Sequence, residues 1–235
     1  MIHKAALAAG VLSAIAAPAF AQGFSGGTLG VEVNAPTDFD DFGGTTYFLG
    51  GEYAVTRQFS IGADASSYRF DNIGQDASSA TLHGIYHLST TASAGLFVGF
   101  DRFDGDDSNL LGLEFGTEFQ GGYVEAYAGR MDDGAETGSL FGATGAYALQ
   151  NGFALTGDAA RANYDDGDVS KFAVGAGYTL QAGPELYAEI GKVSQTDDGV
   201  KNDDTYIGLG ARINFGVARG TTFDQRSLFE ILPQF

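Results

Sequence analysis

The amino-acid sequence predicts an all-β chain folded as a closed antiparallel transmembrane β-barrel of about twelve strands, ten being the alternative count. Three observations carry that expectation. Period-two runs recur along the chain, as in KFAVGAGYTL (171–180), where Phe172, Val174, Ala176, Tyr178 and Leu180 share one face. Short turns alternate with longer connections rich in Asp and Gly, the layout of a barrel with turns on one side of a membrane and loops on the other. Finally, 36 glycines are spread over 235 residues, and each costs about 1 kcal/mol relative to alanine inside a helix.

At the N-terminus, His3 and Lys4 precede an apolar stretch that closes on Ala19, Phe20 and Ala21. Residues 1–21 read as a cleaved secretory signal peptide, so the mature chain is expected to leave the cytoplasm. No later apolar run is long enough for a membrane helix, so a membrane-embedded chain must close into a barrel, assigned here to residues 22–216. The strands are placed at 27–35, 44–55, 58–70, 78–89, 92–103, 109–119, 122–131, 138–149, 152–163, 170–180, 184–194 and 204–216. Each is near the roughly 9 to 11 residues that a tilted strand needs to cross a bilayer.

Short connections fall at 55–58, 89–91, 120–122, 150–152 and 181–184, and are expected on the periplasmic side. Acidic connections at 34–44, 71–79, 104–109, 132–138, 164–170 and 194–204 are expected outside. Pro36 and Pro184 lie in connections, where no ladder hydrogen bond is lost. Cysteine is absent, so no disulfide contributes to the fold.

The face opposite the apolar one carries Glu32, Glu52, Asp64, His83, His87, Glu114, Glu118, Glu125, Asp158, Lys171, Glu189 and Arg212. These are the candidate pore-lining residues. Alternation alone also fits a soluble two-sheet sandwich, so aromatic placement has to decide. Tyr53, Phe59, Tyr86, Phe119, Tyr123, Tyr147, Phe153, Tyr178 and Phe215 fall near the short-turn ends, and Phe70, Phe103, Tyr164, Phe172 and Tyr206 near the loop ends. Two bands at opposite strand ends match interfacial girdles, whereas a sandwich gathers its large aromatics at strand centres.

The last strand, YIGLGARINF (206–215), ends on Gly210, Ile213 and Phe215, and this pattern resembles the signal read by the outer-membrane barrel assembly machinery. With the signal peptide and the hairpins, the chain resembles the Gram-negative outer-membrane porin-like β-barrel family. That resemblance implies a place in the outer membrane, contact with its lipid and lipopolysaccharide, engagement of the assembly machinery, and passage of small hydrophilic solutes or cations. One departure stands out: residues 217–235 follow the last strand. This periplasmic C-terminal tail is expected either as a disordered extension or as a short segment packed against the turns or into the mouth, and Phe235 offers an alternative terminal signal.

The formal charge of −18 argues against a nucleic-acid partner, and 44% hydrophobic residues argue against disorder. His83 and His87 stand four residues apart on one strand face, roughly 13 Å, too far to share a metal. The Asp/Gly runs at 104–107, 165–168 and 197–199 lack calcium-loop spacing and read as solvated turns. No catalytic, cofactor or metal residue is assigned. The function expected is a porin giving passive, weakly cation-selective diffusion of small hydrophilic solutes through a narrow acidic lumen. The alternative is a non-conducting outer-membrane barrel with a structural or adhesive role through its loops or tail.

Overall fold

The computed structural model describes residues 23–37, 43–70, 75–164, 167–181, 183–197, 199–216 and 220–232. The signal-peptide assignment, Phe235 and the centres of several acidic connections lie outside these residues. Twelve strands follow one another: β1 (Gly23–Pro36), β2 (Gly44–Ala54), β3 (Phe59–Phe70), β4 (Gln75–His87), β5 (Ala92–Phe103), β6 (Asp106–Phe119), β7 (Gly122–Asp132), β8 (Thr137–Ala148), β9 (Phe153–Asn163), β10 (Gly167–Thr179), β11 (Glu185–Asp197) and β12 (Val200–Gly216). Each pairs antiparallel with its neighbours, and β1 pairs with β12 from Gly26–Gly216 to Pro36–Tyr206, closing the barrel. All twelve strands sit where alternation places them, and the count of ten is set aside.

The strands run further toward the loop end than the alternation signal reaches. β5 and β6 pair out to Phe103 and Asp106, leaving a two-residue turn at Asp104 and Gly105, both at positive φ. Similarly, β11 and β12 pair out to Asp197 and Val200. Much of the expected loops at 104–109 and 194–204 is therefore a ladder. The physical reason is that apolar alternation stops where both sheet faces are wet, whereas backbone pairing continues.

Every strand presents large apolar side chains outward. Leu29, Leu49, Ile61, Leu82, Leu96, Leu113, Val124, Phe141, Leu155, Val174, Ile190 and Leu209 are all exposed, Leu113 by 63%. The polar residues of the same strands are buried: Glu52, Asp64, His83, Glu114 and Glu125 are each 7% exposed or less. Apolar outside and polar inside is the reverse of a water-soluble sandwich and suits hydrocarbon around the sheet.

At the short-turn end, Tyr53, Phe59, Tyr86, Phe119, Tyr147, Phe153 and Tyr178 form an outward belt, with Phe119 stacked on Tyr147 and Phe153 tilted against Tyr178. Tyr123 instead lines the lumen. The loop-end girdle needs a larger correction. Phe172 faces out, but Phe70 and Tyr206 are buried inside and Phe103 and Tyr164 pack against the inner core. Position along a strand fixes the height of a ring, while parity decides its face.

Room for the inward rings comes from glycine. A side chain at Gly112 would meet the Phe97 ring, at Gly142 Tyr127, at Gly191 Tyr206 and at Gly210 Tyr187. Small lumen residues therefore accommodate large neighbours as much as they open a path.

Replacing Leu113 with Arg, at the middle of β6, should cost about 2–4 kcal/mol of stability if its side chain meets the bilayer midplane. Urea unfolding of the protein refolded into liposomes measures this, and an unchanged midpoint would exclude lipid contact at that position.

Candidate functional site

The lumen holds the chain's own C-terminal segment. Residues 220–232 run inside the barrel from the turn end toward the loop end, so this described part of the tail packs deeper than the mouth. The Thr222 amide donates to Glu52 Oε2 at 2.8 Å, and Phe223, 1% exposed, stacks beside the His83 ring at 6.3 Å. Gly95 and Gly116 leave the space that Phe223 fills. One step higher, Gln225 bonds Ser66 and Ser79, and Thr81 Oγ1 donates to the Arg226 carbonyl at 2.9 Å.

Arg226 is the centre of this arrangement. Its Nη2 donates to Glu125 Oε2 at 2.9 Å, its Nε to Glu114 Oε2 at 3.2 Å, and its guanidinium lies 4.4 Å over the Tyr127 ring. All four side chains lie inside the barrel, and Arg226 is 3% exposed. Two buried carboxylates without a cation would be costly, so the pairing is what makes the site tenable. His83 extends the network: its Nδ1 donates to Glu114 Oε1 at 2.7 Å. Asp64 Oδ2 lies 3.0 Å from His83 Nε2, a close carboxylate–imidazole contact on the other side of the ring.

Above Arg226 the tail turns apolar, and so does the wall. The Leu228 amide donates to Asp101 Oδ2 at 2.7 Å. Phe229 packs among Tyr68, Phe70 and Phe103, and Ile231 joins a buried cluster that includes Phe97, Leu110, Leu140, Val193 and Tyr206. Glu230 accepts from Tyr68 Oη at 3.0 Å, and Lys171 Nζ donates to its backbone carbonyl at 3.0 Å. The order of TTFDQRSLFEIL follows the wall in part: Thr222, Gln225 and Arg226 meet polar wall residues, Leu228, Phe229 and Ile231 meet apolar ones, and Phe223 and Glu230 are the exceptions.

The twelve candidate pore-lining residues all face inward, in three groups. Asp64, His83, Glu114, Glu125 and Glu52 contact the tail or the network that holds it. Glu32, Asp158, Lys171, Glu189 and Arg212 line a cavity of about 220 Å³ left between the tail and the opposite wall. There Lys171 pairs Asp158 at 3.2 Å, Arg212 clasps Glu185 at 2.9 and 3.0 Å, Tyr187 donates to Glu32 and Tyr206 to Glu189, each at 2.7 Å. His87 and Glu118 line a wider vestibule of about 750 Å³ at the turn end, which shares Tyr123, Arg212, Asn214, Thr221 and Asp224 with the inner cavity.

His87 Nε2 lies 3.0 Å from Ser60 Oγ, a nucleophile–base contact not apparent in the sequence. A carboxylate that orients the base would have to bond Nδ1, but that nitrogen meets Ser93 Oγ at 2.9 Å. Glu52 lies 3.8 Å from the Nε2 side instead, and it accepts from the tail. In the acidic connections, Asp107 is clasped by Arg102, and amide donors from Glu136 and Ala135 hold the Asp133 carboxyl below the usual carboxylate range. Those carboxylates shape turns.

Arg226, Tyr127, Thr81 and Asp101 were not singled out from the sequence. One signal was available for Arg226: the strands place many carboxylates inward against Lys171 and Arg212, with Arg57 at the turn end, so among the described residues inward carboxylates outnumber inward cations of the wall.

The comparisons with known proteins agree with this geometry. A family model described as "Outer membrane protein beta-barrel domain" matches residues 7–179. Among solved structures, the chain is similar to the KdgM porin at 9% identity, covering 80% of this chain and 98% of that one with a TM-score of 0.57. It is similar to the KdgM porin in complex with disordered oligogalacturonate at the same identity and coverage, with a TM-score of 0.56. At these identities the likeness is one of fold. A search of curated proteins returns no significant match.

Replacing Arg226 with Ala should weaken docking of the tail by about 3–5 kcal/mol, because Glu114 and Glu125 stay buried without a cation. Hydrogen exchange by mass spectrometry should then show the amides of residues 222–231 losing protection while the strand amides keep theirs.

Proposed function

The chain belongs to the outer membrane protein beta-barrel domain family, and from that premise we propose that it is an outer-membrane porin whose acidic lumen favours small hydrophilic cations. The observation that carries this reading is the charge of the inward face. Glu32, Glu52, Asp64, Glu114, Glu118, Glu125, Asp158 and Glu189 stand against Lys171 and Arg212 of the strands and Arg57 at the vestibule. Carboxylates along a narrow, low-dielectric passage raise the local concentration of cations. The vestibule and inner cavity supply a wet route from the turn end to mid-lumen. The apolar contacts of Phe229 and Ile231 close the loop end, so conduction requires the tail to move.

The same charge argues against carrying over the ligand of the KdgM porin complex. Oligogalacturonate is a polyanion, and this lumen is of the wrong sign for it. No reaction is assigned to the chain, because the Ser60–His87 pair has no carboxylate on Nδ1. A second reading has one observation in its favour: a lumen sealed by its own C-terminal segment also suits a non-conducting barrel that acts through its loops.

Planar-bilayer conductance of the refolded mature protein in a salt gradient separates the two. The channel reading expects brief steps with a cation-directed reversal potential, more frequent in the Arg226→Ala variant. Neutralising Glu118 in the vestibule, which does not hold the tail, should move the reversal potential toward zero. A barrel that inserts yet passes no ions, even with Arg226 replaced, would sink the porin reading.

A further inference from the structure

Arg226 sits in the lumen much as a bound ligand would. Its guanidinium is enclosed by the Glu114 and Glu125 carboxylates at 3.2 and 2.9 Å, with the Tyr127 ring beneath it at 4.4 Å. Two of these three walls are held by the barrel itself. Glu114 Oε1 is fixed by His83 Nδ1, which leaves Oε2 for the occupant, and the Tyr127 ring meets Phe97 edge-on at 6.2 Å. Glu114 and Tyr127 are therefore placed without the tail, while Glu125, projecting from β7 into the same space, takes the Asp224 amide and Arg226 of the tail on its Oε2.

We propose that Glu114, Glu125 and Tyr127 form a guanidinium-binding site, filled by Arg226 when the tail is docked and by free guanidinium-bearing cations such as arginine when it is withdrawn. The proposal deepens the channel reading, on which it rests, by naming the solute class that the lumen retains. Two carboxylates at the edge and an aromatic face below suit a planar, delocalised, weakly hydrated cation. An ammonium group is compact and strongly hydrated, and it forgoes the stacking. Calcium or magnesium would need about six or more oxygen ligands, which two carboxylates do not supply.

A cation that binds only the withdrawn state raises the population of that state by the factor 1 + [L]/Kd, however rare the state is at rest. Thiol accessibility reads that factor. The chain has no cysteine, so Ser227→Cys places a single thiol on the tail beside Arg226, where Ser227 is 2% exposed. In the full chain refolded into vesicles, a charged methanethiosulfonate should modify Cys faster when guanidinium chloride or arginine is added. The expected acceleration is about threefold once the cation reaches twice its Kd. Sodium chloride and lysine at equal ionic strength should leave the rate near its resting value, and combining Ser227→Cys with Arg226→Ala should give fast modification with no added cation.

Equal acceleration by sodium or lysine would reduce the effect to screening and overturn the proposal, as would no acceleration by guanidinium or slow modification in the double variant. Conductance measured on the same preparation keeps the two readings apart. Guanidinium-dependent exposure without ion flow would remove the channel and leave the cage, whereas ion flow with an indifferent thiol would do the opposite.

Discussion

Closure of β1 on β12 is the constraint on which everything else depends. In hydrocarbon an unpaired amide or carbonyl has no water to turn to, so a sheet survives there only if its two edges meet. The pairing from Gly26–Gly216 to Pro36–Tyr206 removes both edges. It also forces each strand to show one face to lipid and the other to the lumen, and so dictates the outward leucines and the inward carboxylates together.

That inward face creates an electrostatic problem, and the tail resolves part of it. Carboxylates gathered in a narrow lumen repel one another unless water, cations or hydrogen-bond donors attend them. The wall uses Lys171, Arg212, Tyr187 and Tyr206 on one side. On the other side the tail brings Arg226 to Glu114 and Glu125, and its backbone amides to Glu52 and Asp101. The segment thus serves as counterion at mid-lumen and as apolar filling toward the loops.

The barrel was legible in the sequence because its signals are local. Alternation located every strand, and the parity of Glu114 or Asp64 against neighbours such as Leu113 or Ala65 assigned their face. Legibility failed where a contact joins residues far apart in the chain. Phe70 and Tyr206 stand at the height of a loop-end girdle but point inward, to packing partners that alternation cannot name. Arg226 meets Glu114 across 112 residues, and nothing adjacent to it in TTFDQRSLFEIL reveals that partner. The imbalance of inward charge was the one trace it left.

The docked tail also bears on the order in which the molecule is made. The hydrogen-bond partners named for it come from seven strands: Glu52, Ser66, Thr81, Asp101, Glu114, Glu125 and Lys171 belong to β2, β3, β4, β5, β6, β7 and β10. The set is complete only once the sheet has wrapped around. Gly216 ends β12 at the turn end, and residues 220–232 meet these partners inside the closed wall. Carboxylates that lack the tail have to be met by water or by other cations, so docking and closure are coupled through the same charges.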